Sequence, residues 1–129
     1  MTFRSKLEQR VGDWIVPFGA TYEKHVVFYS IPKKYTPDFT LDDYRIHVEV
    51  KGWFRSGDRQ KYKAIKEAMD EQGWTFVFIL QNPGKPVSKG AKSNMGDWCT
   101  NNGILWFAAD DANGFEEFLN ELEYPNENT

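Results

Sequence analysis

Thr36-Pro-Asp-Phe-Thr-Leu-Asp-Asp-Tyr-Arg-Ile-His-Val-Glu-Val-Lys51-Gly52 is the stretch that decides the fold of this 129-residue chain. Ile46, Val48 and Val50 alternate with Arg45, His47, Glu49 and Lys51, the period-two pattern of a half-buried strand, so Glu49 and Lys51 share one polar face. Tyr35 to Leu41 reads as a preceding strand and Asp42-Asp43 as the turn of a hairpin, which sets Leu41 against Tyr44 and Asp38 against His47. Asp38 then lies on the Glu49 face, diagonal to it. Diagonal cross-strand residues are roughly 7–8 Å apart, close enough for two carboxylates leaning together to share one divalent ion. A loop with an odd number of residues would turn Asp38 to the opposite face.

Two acids and a lysine on one small sheet form a phosphodiesterase layout. Hard oxygen ligands such as Asp38 and Glu49 suit Mg²⁺ or Mn²⁺, which keep several waters and can activate one as a nucleophile. Lys51 supplies positive charge where the attacked phosphate gathers negative charge. Taken alone, Pro-Asp followed by Glu-x-Lys is a motif that exposed, ion-paired hairpins match by chance, and the rest of the chain has to support it.

Forty per cent hydrophobic and 16% aromatic residues indicate a packed globular protein, and the length suits a single domain, taken as residues 1–129. No apolar run approaches the ~20 residues of a membrane span and no signal peptide is recognisable, so a location in the cytoplasm and no membrane partner are expected. The single Cys99 excludes an internal disulfide framework and a cysteine zinc site, and reads as a small core residue. The net charge of −3 is unevenly distributed: an acidic C-terminal tail, about 109–129, holds seven acids and no Lys or Arg, leaving the body at +4. Within that body Lys51, Arg55, Arg59, Lys61, Lys63 and Lys66 are opposed by Asp58 alone, and Lys85, Lys89 and Lys92 follow in a Gly/Pro/Ser loop. Such a run is often only a solvated face; beside a metal site it reads as phosphate-backbone contact.

The periodicity predicts a first helix over Phe3 to Ile15, with Leu7, Val11 and Trp14 inward and Pro17 as its stop. Glu8 sits about 100° round from Leu7, at the edge of the apolar stripe. Thr21 to Ser30 is strand-like, and Ile31 to Lys34 is a connector in which Pro32 discourages a central strand. Gly52 to Gly57 is a loop whose Trp53 and Phe54 either pack or stack on nucleic acid, packing being the simpler account. Asp58 to Gln72 is a second helix with Tyr62, Ile65 and Met69 inward and Gly73 as its stop. Trp74 to Leu80 is a buried strand, parallel to the Glu49 strand. Met95 to Asn101, Ile104 to Ala108 and Phe115 to Leu122 read as helix, strand and helix, with a frayed end from Glu123.

In this order, Phe3-Arg-Ser-Lys-Leu-Glu8, Tyr35-Thr-Pro-Asp-Phe39, Val48-Glu-Val-Lys-Gly52 and Ser56-Gly-Asp-Arg-Gln-Lys61 resemble the endonuclease I family of T-odd bacteriophages, Holliday-junction resolvases of the restriction-enzyme-like PD-(D/E)xK class. A weaker likeness runs from Lys89-Gly90 through Gly96-Asp-Trp-Cys99 to Gly103-Ile104, so the resemblance covers roughly residues 3–107. It implies an α/β fold with a mixed central sheet flanked by helices, in an element-swapped homodimer whose crossing segment here would be Ile31 to Lys34. It implies that Glu8, Asp38 and Glu49 are metal-binding and catalytic carboxylates, that the Val50 carbonyl is a further metal ligand, and that Lys51 is the catalytic lysine. Arg4, Arg55, Arg59, Lys61, Lys85, Lys89 and Lys92 are the candidate DNA-binding residues. Compared with the family, this chain has a shorter connector and an acidic rather than basic end.

The resulting expectation is a homodimeric Mg²⁺-dependent endodeoxyribonuclease, with Mn²⁺ as a substitute, that hydrolyses branched DNA. A water activated by a metal on Asp38, Glu49 and Glu8 would attack phosphorus while Lys51 offsets the developing charge. His47, on the same strand face, reads as a solvent-exposed histidine. The alternatives are a nicking or single-strand-selective nuclease with the same site, and a non-catalytic DNA-binding or DNA-mimicking phage protein.

Overall fold

The computed structural model describes residues 2–29 and 33–122. Helix α1 spans Lys6–Ile15 and begins where Ser5, in extended backbone, accepts the Glu8 N–H on its hydroxyl at 3.0 Å. Val11 and Ile15 are fully buried. Pro17 does not end the chain's turning at once: its preset φ and missing N–H are tolerated in the first turn of a 3₁₀ helix over Val16–Phe18, which closes at Gly19 with φ +97°.

The strand expected from Thr21 to Ser30 is two strands in different sheets, β1 (Ala20–Tyr22) and β2 (Val27–Phe28). The break is Glu23, a non-glycine residue at φ +49°, whose N–H donates to the Asp38 carbonyl at 2.9 Å. The stretch from Tyr35 to Leu41 divides in the same way, into β3 (Lys34–Tyr35), which pairs with β2, and β4 (Phe39–Leu41). Pro37 lies between them and cannot donate to a ladder.

Strand β5 (Ile46–Lys51) pairs antiparallel with β4 as Phe39↔Val48, Thr40↔His47 and Leu41↔Ile46. The loop therefore has four residues, not two: a 3₁₀ turn at Asp42–Tyr44 and Arg45 at φ +57°. The left-handed Arg45 is held by its own side chain, which donates to the Gly73 and Gln72 carbonyls, each at 3.2 Å, and lies 4.9 Å from the Trp74 ring. Because the loop grows by an even number, side-chain parity survives; the register, continued by one residue, sets Asp38 directly opposite Glu49 rather than diagonal to it.

Helix α2 runs over Asp58–Gln72, between Gly57 and Gly73, both left-handed. Strand β6 (Thr75–Leu80) lies parallel to β5, from Ile46↔Thr75 to Lys51↔Leu80, and β7 (Leu105–Ala108) lies parallel to β6. With α3 (Met95–Asn101) and α4 (Ala112–Glu121), these elements give the mixed α/β architecture, its five-stranded sheet ordered β1-β4-β5-β6-β7. One face packs Val48, Val50, Val77 and Ile79 against Val11, Ile15, Phe115 and Leu119; the other packs Phe76, Phe78 and Leu80 against Tyr62, Ile65, Met69 and Cys99. Burial pushes the Cys99 thiol up to about 12, consistent with a core role.

Coverage on both faces overturns the half-buried reading of β5, all of whose residues from Ile46 to Val50 are buried. His47 is 3% exposed, not solvent-facing. Its Nδ1 bonds the Thr40 hydroxyl at 2.8 Å and its ring stacks on Trp74 at 4.1 Å, an arrangement set by the helix side of the sheet rather than by strand periodicity.

Candidate active site

The N-terminal end of α1, the end of β1 and the entry to β4 converge on three carboxylates. Glu8, Glu23 and Asp38 each offer an oxygen, and these oxygens lie within 4.8 Å of one another. Each is fixed by a different backbone device. The Ser5 cap sets the first turn of α1, from which Glu8 Oε1 accepts the Arg4 N–H at 3.1 Å and the Tyr22 hydroxyl at 2.5 Å. The left-handed turn at Glu23 is tied to Asp38 through the main chain, and its carboxylate pairs with the Arg4 guanidinium at 2.8 Å. Asp38 Oδ2 accepts the Val50 N–H at 2.7 Å, which locks the Pro-Asp segment onto β5.

This packing has an electrostatic cost. Burial, followed by the nearby Glu49 charge, pushes the Asp38 carboxyl up to about 9, against the opposing effect of the Val50 hydrogen bond. A hard divalent cation is the species that relieves such crowding, since it offsets several carboxylates at once. The donor set is all oxygen, as Mg²⁺ or Mn²⁺ requires, so these residues fit such an ion.

Glu49 and Lys51 do share a strand face, as the alternation predicts, but that face lies under α2. Glu49 accepts the Tyr35 hydroxyl on Oε1 and the Tyr62 hydroxyl, at 2.9 Å, on Oε2. Lys51 Nζ donates to the Tyr62 oxygen at 2.9 Å and stands 3.6 Å from Glu49 and 3.4 Å from Asp58. Burial raises the Glu49 carboxyl, Lys51 being the largest opposing influence. Burial also raises both tyrosines, with the Glu49 charge next, so the two phenols stay protonated donors. Lys51, 18% exposed, is thus aimed by two acids and a phenol rather than free in solvent.

The basic candidates fall into three settings. Arg4 is spent on Glu23 beside the carboxylates. Lys61 stands over the Tyr35 and Tyr62 rings at 5.9 and 5.2 Å, near Glu49, while Arg59 lines a cavity of about 480 Å³ with Lys63 and Trp98. Arg55 approaches the Trp53 ring, Lys85 and Lys89 line a hollow with the same tryptophan, and Lys92 is exposed in the loop that follows.

Sequence reasoning passed over Glu23, Tyr22, Tyr35, Tyr62 and Asp58. Glu23 gives no signal, because its place depends on the break between β1 and β2. Tyr62 was recognisable as an inward-facing residue of α2, but its hydroxyl's partners were not.

The description "Phage endonuclease I" belongs to the family whose profile matches residues 1–122. The chain is 36% identical over 109 residues to "Endodeoxyribonuclease 1" of Enterobacteria phage T3, an alignment spanning 81% of this chain and 70% of that protein. It is 36% identical over 107 residues to "Endonuclease I" of Escherichia phage T7, covering 79% of this chain and 70% of that protein.

Proposed function

The chain belongs to the phage endonuclease I family, and from that premise we propose that it is a metal-dependent, structure-selective DNA endonuclease that hydrolyses phosphodiester bonds in branched DNA, in the manner of a Holliday-junction resolvase. The observation that carries the reading is the adjacency of two groups: the Glu8, Glu23 and Asp38 carboxylates, and the Glu49, Tyr62 and Lys51 network beside Asp38. Glu8, Asp38 and Glu49, with the Val50 carbonyl, would hold Mg²⁺ or Mn²⁺, and Glu23 is near enough to join them. When bound, the cation supplies an activated water and positive charge at the phosphate.

The remaining work belongs to the chain. Lys51 brings a charge into a site with little water, where it acts on a phosphate far more strongly than it would at the surface. Tyr62 and Asp58 hold that charge in place. Arg55, Arg59, Lys61, Lys85, Lys89 and Lys92 meet the phosphodiester backbone, and Arg4 fixes the acid cluster from outside. The working unit is a homodimer acting on phage or host DNA inside the bacterial cell, as a single domain over residues 1–129. Half of the expected crossing segment, Ile31 and Pro32, lies outside the described residues. No helix among the described residues is long and apolar enough to cross a membrane.

The test is cleavage of a synthetic four-way junction, a single strand and a linear duplex, each with Mg²⁺ and with chelator, by the wild type and by Glu49→Gln. Paired, metal-dependent cuts near the branch point that vanish in the variant are the expected result. Preferential cutting of the single strand would keep the site and discard the junction specificity, and no cutting of any substrate in Mg²⁺ or Mn²⁺ would sink the reading.

A further inference from the structure

Lys51 is followed by two aromatic residues that the fold treats in opposite ways. Phe54 turns into the core against Tyr62, Phe78 and Trp98. Trp53 is 53% exposed, although an indole is the side chain that gains most from burial. It borders two concavities. One, of about 250 Å³, is walled further by Ser5, Val50, Lys51, Gly52, Arg55 and Gln81. The second, of about 290 Å³, is bounded further by Phe54, Val87, Lys85 and Lys89. The Arg55 guanidinium lies 5.7 Å from the Trp53 ring, at cation–π range, which orients the indole.

We infer that Trp53, held by Arg55, is a stacking platform for one unpaired nucleobase of the DNA strand whose phosphates run past Lys51, and that it confers preference for DNA with unpaired or distorted bases. This rests on the nuclease reading above. The occupant follows from the chemistry of the walls. A flat π-surface recognises a flat ring. Each of the two hollows that share Trp53 carries a pair of cations, Lys51 and Arg55 in one and Lys85 and Lys89 in the other, which suits a base held between successive phosphates of a strand. A hollow of this size takes a single nucleoside, not a stacked base pair, so the base has to leave its helix or lie beside a branch point.

The experiment uses the full chain in chelator and short single strands carrying 2-aminopurine at one position, scanned along the oligonucleotide, with binding followed independently by anisotropy. Stacking on an indole quenches 2-aminopurine. The expected result is strong quenching at one position with wild type, its loss in Trp53→Ala and its retention in Trp53→Phe. Affinity should fall about tenfold in Trp53→Ala. An abasic site at the quenched position should weaken wild-type binding to the same extent and weaken Trp53→Ala binding no further. The abasic arm requires no change to the protein, so it stands even if the variant folds poorly. Quenching that persists in Trp53→Ala, or DNA binding with no quenched position, overturns this inference while leaving metal-dependent cleavage, measured separately, as support for the nuclease. Absence of all DNA binding and cleavage overturns both.

Discussion

Tyr62 bridges two residues of β5: its hydroxyl donates to Glu49 and accepts from Lys51, so one oxygen sets the direction of an acid and a base. A hydrogen bond to a charged group is worth about 1.5–3 kcal/mol. Tyr62→Phe is therefore expected to slow single-turnover cleavage roughly tenfold or more through misdirection of Lys51, whereas Lys51→Ala removes the charge and abolishes cleavage; equal rates for Tyr62→Phe and wild type would show that Asp58 alone suffices. The acids also fix a pH signature. Asp38, raised to about 9 by burial and by Glu49, stays protonated in the metal-free folded state while the unfolded chain ionises near 4, so folding takes up a proton between those values. Stability from this residue is complete below the unfolded pKa and is lost as pH rises through the folded one. His47, lowered to about 4 by burial and then by His25, works in the opposite direction, since the unfolded chain binds the extra proton below about 6.5. The two oppose each other in the acid range, and above pH 6.5 the opposition from His47 is gone while the raised Asp38 carboxyl continues to act. The thermal midpoint in chelator should thus fall from pH 6.5 to pH 9; Asp38→Asn, or excess Mg²⁺ with the wild type, should flatten the decline. A midpoint that rises over that range would contradict the buried, crowded state of Asp38.

At the scale of elements, the N-terminus of α1 shows how a local cap serves a distant site. Ser5 accepts the N–H of Glu8 itself, so the cap that starts the helix also holds the residue that presents a carboxylate to Asp38. Ser5→Ala should cost about 1 kcal/mol, a fall of about 3–5 °C in the melting midpoint, and should weaken Mg²⁺ binding followed by calorimetry; Ser5→Asp, which keeps a cap acceptor, should restore the midpoint. Loss of stability with unchanged Mg²⁺ affinity would separate the cap from the site. Elements of this kind were legible in the chain because the signals are local. The bounds of α2 follow from Gly57 and Gly73, and β5 from its alternation. The hairpin was misread by two residues because Arg45 in a left-handed conformation has no sequence mark, its cost being offset by Gln72, Gly73 and Trp74 far along the chain. The same holds for Glu23, whose break in the strand depends on a hydrogen bond to Asp38. His47 was misplaced because periodicity reports one buried face and is silent on whether a helix covers the second. Glu8, Asp38, Glu49 and Lys51 were named from the sequence; that Glu23 would stand with the first two, while Glu49 turned to Tyr35 and Tyr62, required the packed sheet.

At the scale of the whole molecule, the proposed function requires a chain of net charge −3 to bind a polyanion, which puts the weight on where its cations stand. Of the acids nearest the site, Glu8, Asp38, Glu49 and Asp58 are buried, whereas Arg55, Arg59, Lys85 and Lys89 remain exposed. Cations of this sort bind by releasing counterions from DNA, so each phosphate contact contributes about 0.9 to the slope of log affinity against log salt on duplex arms. Lys85→Ala with Lys89→Ala should therefore lower that slope by roughly 1.8 for junction binding in Ca²⁺ or chelator, with a loss of affinity that shrinks as salt rises. Lys24, whose ammonium lies 3.8 Å from Asp42 at the opposite end of β4, provides the contrast: Lys24→Ala should leave the slope as it was. The measurement is a salt titration of DNA affinity for the three proteins side by side. Parallel lines for the wild type and the double variant would mean that the loop from Lys85 to Lys89 faces away from the strand, and would move the path of the DNA toward the Arg59 and Lys63 side of α2.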